Sequence, residues 1–344
     1  MKNLFEINII RSIACISVVM THSITSYLRN VDVNLNAEDS YIVWIRFALL
    51  FATPIFILLS ETLISKNYPN KLPNSFFRKR IKYILIPYIF IGLLVSYRSS
   101  NKDITSFLEV VYNKVILGDW YGFFVIVIFQ FYILHWLLAK YLSRINPIAP
   151  LIISFLISFF HIYGYVNNIE YKEFVFTKYP FSYRTHIFVW LFYFIVAFYF
   201  GQYYERIVSY LNDKVWIPII AVITTYLIVI NNVINHGYTT VASDRYDMLL
   251  YSVSVFFLLI ILIRKFNYNS SSLLMLSHFS YFIYLSHRLI LPYLVELSQT
   301  FGDNFFSYII IMTFLAISTS MGWAILFYQN RLTRLFTGRI KYLE

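Results

Sequence analysis

Arg11 and His22 are the first residues in this sequence whose types and spacing could do chemistry together. They stand eleven positions apart in an apolar segment. At about 100° per residue that is about 20° past three full turns, so a helix would carry both on one face, about 16 Å apart along its axis. Asn8 and Cys15 fall on the same stripe. A neutral imidazole, with an unperturbed pKa of about 6.5, can take a proton near neutral pH. A guanidinium can stabilise a carbonyl or a developing oxyanion. An ionisable residue at membrane depth costs at least about 2.5 kcal/mol, so such residues face a polar cavity or a partner. A snorkelling arginine and an interfacial histidine would show the same spacing.

Further along, Ser280, Tyr284 and His287 fall at i, i+4 and i+7, again one helical face. A histidine that only ties buried helices together would also fit there. The strongest charge feature is Phe76-Phe77-Arg78-Lys79-Arg80-Ile81-Lys82-Tyr83, with four cations in five residues ahead of Pro87. It reads as a phosphate site, because arginine binds phosphate bidentately, or as a plain topological anchor. Trp120 and Tyr121, after Gly118, fit an interfacial aromatic belt, and Gln130 would sit at membrane depth and need a hydrogen-bond partner. His278, His135, His161, His186 and His236 carry no pattern that lifts them above background. No phosphate loop, dinucleotide turn, nucleophile elbow or zinc spacing is present, so no metal is expected. The single cysteine, Cys15, excludes an intrachain disulfide.

The elements that must hold these residues are membrane helices. Of 344 residues, 59% are hydrophobic, 21% aromatic and only 13% charged, and the mean hydropathy is +0.64. Soluble domains carry about 25% charged residues. A soluble enzyme, a disordered chain and a disulfide scaffold are excluded. The apolar runs are about twice the ten residues of a barrel strand. With about 20 residues per crossing, ten spans are expected, at 4–27, 42–65, 83–98, 120–138, 148–164, 185–203, 215–233, 247–263, 273–294 and 305–327. The fold class is therefore all-α, a multi-pass membrane protein forming one domain over 1–344. The net charge of +11 is read as cytoplasmic loops and not as nucleic-acid binding. Segments on the side of Lys2 hold roughly twice the Lys and Arg of the opposite side, where Lys102 and Lys114 fall. That predicts both termini in the cytoplasm. Arg11 inside the first run argues for a retained helix and not a signal peptide. An inverted repeat, common in transporters, is not evident.

These residues match a pattern. Arg11 followed by His22, Arg78-Lys79-Arg80 after the second helix, Pro87 opening the third, and Ser280-Tyr281-Phe282-Ile283-Tyr284-Leu285-Ser286-His287 late in the chain resemble the acyltransferase-3 family of membrane acyltransferases. Where that family's second helix usually ends in Ser-Gly, this chain has Ser60-Glu61. Lys82 to Ile89, Leu117 to Phe124, Gln130-Phe131 and Tyr204-Glu205-Arg206 are more closely similar to its intercellular adhesion protein C branch.

The resemblance implies an O-acyltransferase of the cell membrane with no bound cofactor. It would move a succinyl or acetyl group from cytoplasmic acyl-CoA to hydroxyls of an extracellular poly-N-acetylglucosamine polymer of biofilms. Arg78 and Arg80 would bind the donor's phosphates. The donor's arm would pass Arg11, which would stabilise the thioester or the oxyanion. His22 would be the general base, a role worth about 10²–10⁴-fold. His287, Tyr284, Gln130 and Trp120 are candidates for orienting the acceptor or His22, and no carboxylate partner for His22 can be named. The rivals are an exporter or flippase of the same polymer and a non-catalytic partner of a membrane glycosyltransferase. Neither needs a base on one side and an anion site on the other.

Overall fold

A computed structural model describes residues 5–30, 40–100, 103–301 and 304–343; Lys2 and Lys102, used in the sidedness argument, lie outside these. The described residues are helices and connecting turns. They are α1 (Phe5–Asn30), α2 (Tyr41–Asn67), α3 (Phe76–Ser99), α4 (Ile104–Val111), α5 (Phe124–Leu142), α6 (Ile148–Asn167), α7 (Ile169–Lys178) and α8 (Ile187–Gln202). There follow α9 (Tyr204–Asp213), α10 (Trp216–Ile234), α11 (Met248–Lys265), α12 (Ser271–Ile290), α13 (Val295–Phe301) and α14 (Phe305–Gln329). Nine stretches among the described residues are long and apolar enough to cross a membrane. The ninth expected span, 273–294, is the one not among these; it folds as the 20-residue α12 and ends in a 3-10 turn at Leu291–Leu294. Its serines and histidines lower its hydropathy, and it stands inside the bundle against α1 and α14, not against lipid.

Helix α1 is the axis. Its hydroxyls are satisfied within the helix, Thr21 on the Ser17 carbonyl and Ser23 on that of Val19. This is how polar side chains survive in an apolar bundle. Small residues on its α12 face let the backbones approach. The Ser12 hydroxyl donates to the Leu273 carbonyl at 2.5 Å, and the Cys15 thiol to that of Ser280 at 3.7 Å. Helix α8 packs on α2 the same way: a Cβ on Gly201 would meet the Thr62 carbonyl at 2.6 Å. Helices α6 and α10 line the rim, with Ile152, Ile153, Ile220 and Ile223 more than half exposed.

The start of α1, the ends of α2 and α11, and α9 meet on one face. There Glu205 accepts from Lys66 at 2.9 Å and from Arg264 at 3.1 Å, and the Tyr204 hydroxyl donates to Glu6 at 2.7 Å. The C-terminal segment folds against the same face, with Phe336 stacked on Phe90 at 4.2 Å. Both chain ends thus share a face, here the N-terminal face. Lys66 and Arg264 hold the Glu205 carboxyl below the usual carboxylate range. A depressed folded pKa stabilises at neutral pH and is lost as pH falls through it. Glu205→Gln should therefore lower Tm in detergent at neutral pH, and the difference from wild type should shrink on acidification; an unchanging difference would remove the charge from the explanation.

Two departures from the expected spans are set by prolines. Pro54 cannot donate to the Leu50 carbonyl, and α2 carries a 3-10 turn at Leu49–Phe51. Pro87 cannot donate to the Tyr83 carbonyl, and α3 carries a π turn at Ile81–Leu85 in which the Ile86 N–H reaches back to the Ile81 carbonyl. The Arg78–Lys82 cluster is therefore the first turns of α3 itself and not a segment ahead of it. Residues 104–116, expected in a loop, are helical as well. They expose Ile104, Leu108, Tyr112 and Ile116 at intervals of four, an apolar stripe at the opposite face.

Candidate active site

The 3-10 turn of α2 stands at the wall of a cavity. Leu49, Leu50, Ala52 and Thr53 border this cavity of about 340 Å³, which lies toward the face opposite the chain ends. His22 of α1 and Tyr284 of α12 line it, as do Arg29, Arg46, Arg184 and Arg288. A second cavity of about 470 Å³ shares Tyr121, Arg184 and Arg288 with the first and adds Arg98, Lys114, Asp119 and Trp120. The approach to His22 is thus strongly cationic. Such a site favours a group that becomes negative.

His287 stands behind His22, with ring centroids 5.1 Å apart. It is fully buried, and its Nδ1 lies 3.0 Å from the Ile283 carbonyl. A carbonyl only accepts, so Nδ1 carries the proton and Nε2 the lone pair. That Nε2 is buried without a partner in the protein. The Tyr284 hydroxyl contacts Thr53 at 3.4 Å and the Tyr121 carbonyl at 3.3 Å. His22, Tyr284 and His287 therefore converge.

Arg11 does not join them. It is absent from the residues lining the cavity and lies toward the N-terminal face, held by Asn8 at 3.4 Å. It feels the like charge of Arg80 there. The Arg80 guanidinium lies over the rings of Phe76 at 4.9 Å and Tyr132 at 5.4 Å, whereas Arg78 is exposed. Gln130 finds its partner in the Thr185 carbonyl, 3.0 Å from Nε2, and does not border the cavity. Trp120 donates to the Tyr88 hydroxyl at 3.1 Å and walls the second cavity.

Sequence reasoning passed over one pair. His135 is completely buried and its Nδ1 lies 2.7 Å from Glu61 Oε1, while Nε2 lies 2.9 Å from the Tyr68 carbonyl. Nε2 must donate to that carbonyl, so a single proton is shared between Nδ1 and the carboxyl. Glu61, the departure from Ser-Gly, is thus matched by a histidine 74 positions away. An acid in an apolar helix end was the available signal, since it demands a partner. Among the described residues no group of three or more His, Cys, Asp and Glu is placed to hold a metal ion.

The family model described as Acyltransferase domain matches residues 4–328. A Staphylococcus aureus protein named as a poly-beta-1,6-N-acetyl-D-glucosamine export protein is 32% identical over 342 residues, 98% of this chain and 96% of that one. One of the same name from Staphylococcus epidermidis is 32% identical over 99% of this chain and 96% of its own. A Bacillus subtilis protein named as a membrane-bound acyltransferase is 33% identical over 86% of this chain and 83% of its own. No solved structure matches. With the helical bundle and a family match over almost the whole chain, the chain belongs to the acyltransferase-3 family and is a multi-pass membrane acyltransferase.

Proposed function

We propose that this protein transfers a succinyl or acetyl group from cytoplasmic acyl-CoA to hydroxyls of an extracytoplasmic poly-N-acetylglucosamine. One observation carries the reading. His22 borders a cationic cavity toward one face, while Arg11 and Arg80 lie outside it, toward the other. The charge bias makes the face of the chain ends cytoplasmic. The donor's phosphates then lie against Arg80, with Arg78 at the rim, and its thioester advances past Arg11.

At the far end His22 takes the proton of a sugar hydroxyl as the oxygen attacks the thioester carbonyl. The tetrahedral oxyanion forms among Arg46, Arg184 and Arg288, which are closer to the reaction than Arg11 and take over the stabilising role expected of it. Collapse breaks the acyl–sulfur bond, leaves an ester, and returns the proton from His22 to the departing CoA thiolate. His287 backs the ring, and Tyr284 borders the acceptor's place.

The acceptor polymer rests on the names of the staphylococcal relatives, and those names also say export. Ester analysis of the surface polymer separates the two activities. An acyltransferase leaves polymer outside the cell that lacks esters when the protein is deleted; an exporter leaves no polymer outside. For the donor, Arg80→Ala should raise the KM for acyl-CoA by about tenfold, the order expected for a lost charge-assisted contact. Arg78→Ala should do less, because that side chain is exposed. Equal and small effects would make the cluster an anchor only.

A further inference from the structure

Asp244 is the one carboxylate that borders the His22 cavity among the described residues. It lies in the segment between α10 and α11, and its side chain is 10% exposed. Its Oδ1 is buried with no hydrogen-bond partner in the protein. Its Oδ2 is 3.9 Å from Arg184 Nε, too long for a hydrogen bond, so the arginine does not satisfy the carboxylate. The Tyr183 hydroxyl, next to Arg184 in the chain, is also buried without a partner in the protein. Buried polar groups are normally paired, and an unpaired one costs roughly 1–3 kcal/mol. Both atoms are enclosed by protein, and Tyr183 is not among the residues lining the cavity; a turn of the Asp244 side chain toward the cavity it borders would give its carboxylate the hydroxyl partner it lacks.

The segment carrying Asp244 is rigidly fixed by its neighbour. Arg245, 1% exposed, donates from Nε to Asp247 Oδ1 at 2.8 Å and from Nη2 to Asp247 Oδ2 at 2.6 Å. Its Nη1 donates to the carbonyls of Tyr238 at 2.5 Å and Thr240 at 2.9 Å. The guanidinium lies 3.7 Å over the Tyr238 ring, and Asp247 also accepts from Asn232 of α10 at 3.0 Å. A buried arginine whose fork is matched to one carboxylate and two carbonyls holds a loop in one shape. That shape places Val241, Ala242, Ser243 and Asp244 as a wall of the cavity. Pre-organising a binding wall lowers the ordering cost of the ligand it meets.

We propose that Asp244 is the acceptor-binding carboxylate of this enzyme: it accepts a hydrogen bond from a hydroxyl of the acceptor sugar next to the one that reacts, and Arg245 is the positioning residue that keeps it there. The inference rests on the proposed acceptor side of the cavity. A sugar supplies many hydroxyl donors and no charge, so it satisfies Asp244 without competing with the arginines for the developing oxyanion.

The test uses the full-length protein in lipid nanodiscs, with acetyl-CoA and succinyl-CoA as donors and a β-1,6-linked N-acetylglucosamine oligomer as acceptor. Asp244→Asn keeps the shape and one carbonyl acceptor; Asp244→Ala removes both. We expect the acceptor KM to rise about tenfold in Asp244→Asn and further in Asp244→Ala, with the donor KM within twofold of wild type. Arg245→Lys, which keeps the charge and loses the fork, should move the acceptor KM in the same direction and leave the donor KM alone. Matched melting temperatures for Asp244→Asn and wild type show that the fold is intact. If Asp244→Asn does not fold, direct titration of the oligomer onto folded Arg245→Lys decides instead, and unchanged affinity there overturns the proposal. An unchanged acceptor KM in Asp244→Ala, or donor and acceptor KM rising together, also overturns it. Failure of the parent reading looks different: the wild-type protein would then acylate no oligomer with either donor.

Discussion

His22→Gln should lower kcat/KM for acyl transfer by about 10²–10⁴-fold, the contribution of a positioned general base, while the protein inserts and folds as wild type does. Glutamine keeps most of the volume and some hydrogen bonding but no basicity. The residue borders the cavity and is only partly buried, so its packing contribution is small. His22→Ala should be no worse than His22→Gln by more than a fewfold. The measurement is transfer of labelled acyl groups to the oligomer, with ester content of exported polymer as the readout in cells. Glutamine activity near that of wild type would make His22 a substrate-positioning residue. Polymer retained inside cells that carry either variant would move the exporter reading ahead. His287 gives an internal contrast. Its Nδ1 proton is engaged by the Ile283 carbonyl and its ring is fully buried, so it backs His22 and does not face the substrate. His287→Phe keeps a ring behind His22 and should cost less than His22→Gln.

Much of this site was legible because helical periodicity is a local property. The spacing of eleven positions from Arg11 to His22 fixes one face of α1, and that of seven from Ser280 to His287 fixes one face of α12. That the two faces would meet at 5.1 Å was not in either period; it follows from the small residues Ser12 and Cys15 that let α1 settle on the α12 carbonyls. The spans were legible from apolar length, with α12 the instructive case. Length and position marked it as a helix, yet it is less apolar than a lipid-facing span because it lies among other helices. The cavity was not legible. It depends on the break at Leu49–Phe51, on Arg46 and Arg184 arriving from distant segments, and on a loop whose shape is set by Arg245. The separation of Arg11 from His22 was legible, whereas the partners of each were not. A shared stripe gives an azimuth, but about 16 Å of helix separates its two ends, and the partners at each end come from different parts of the chain.

The second large effect concerns stability. Glu61→Met alone, or His135→Phe alone, should destabilise the protein by about 3–5 kcal/mol, since each leaves the other group buried and unpaired. Both side chains are fully buried, at 2.7 Å, so neither can turn to water for compensation. The double replacement removes both polar groups and restores apolar volume. It should recover most of the loss, short of about 1 kcal/mol for the Tyr68 carbonyl that His135 Nε2 no longer serves. A double-mutant cycle on unfolding in detergent measures the coupling directly. Transfer activity of the double variant, measured below its melting transition, should stay near wild type, because neither residue borders the His22 cavity. Two results would sink this view. A double variant as unstable as the singles would mean that shape, not pairing, holds the site. Single variants with wild-type Tm but no transfer would make the shared proton part of the chemistry. The pair lies one position from Ser60, whose hydroxyl contacts Tyr132 at 3.4 Å beneath Arg80. An effect on transfer alone would therefore have to appear in the KM for acyl-CoA, at the donor end of the protein and not at His22.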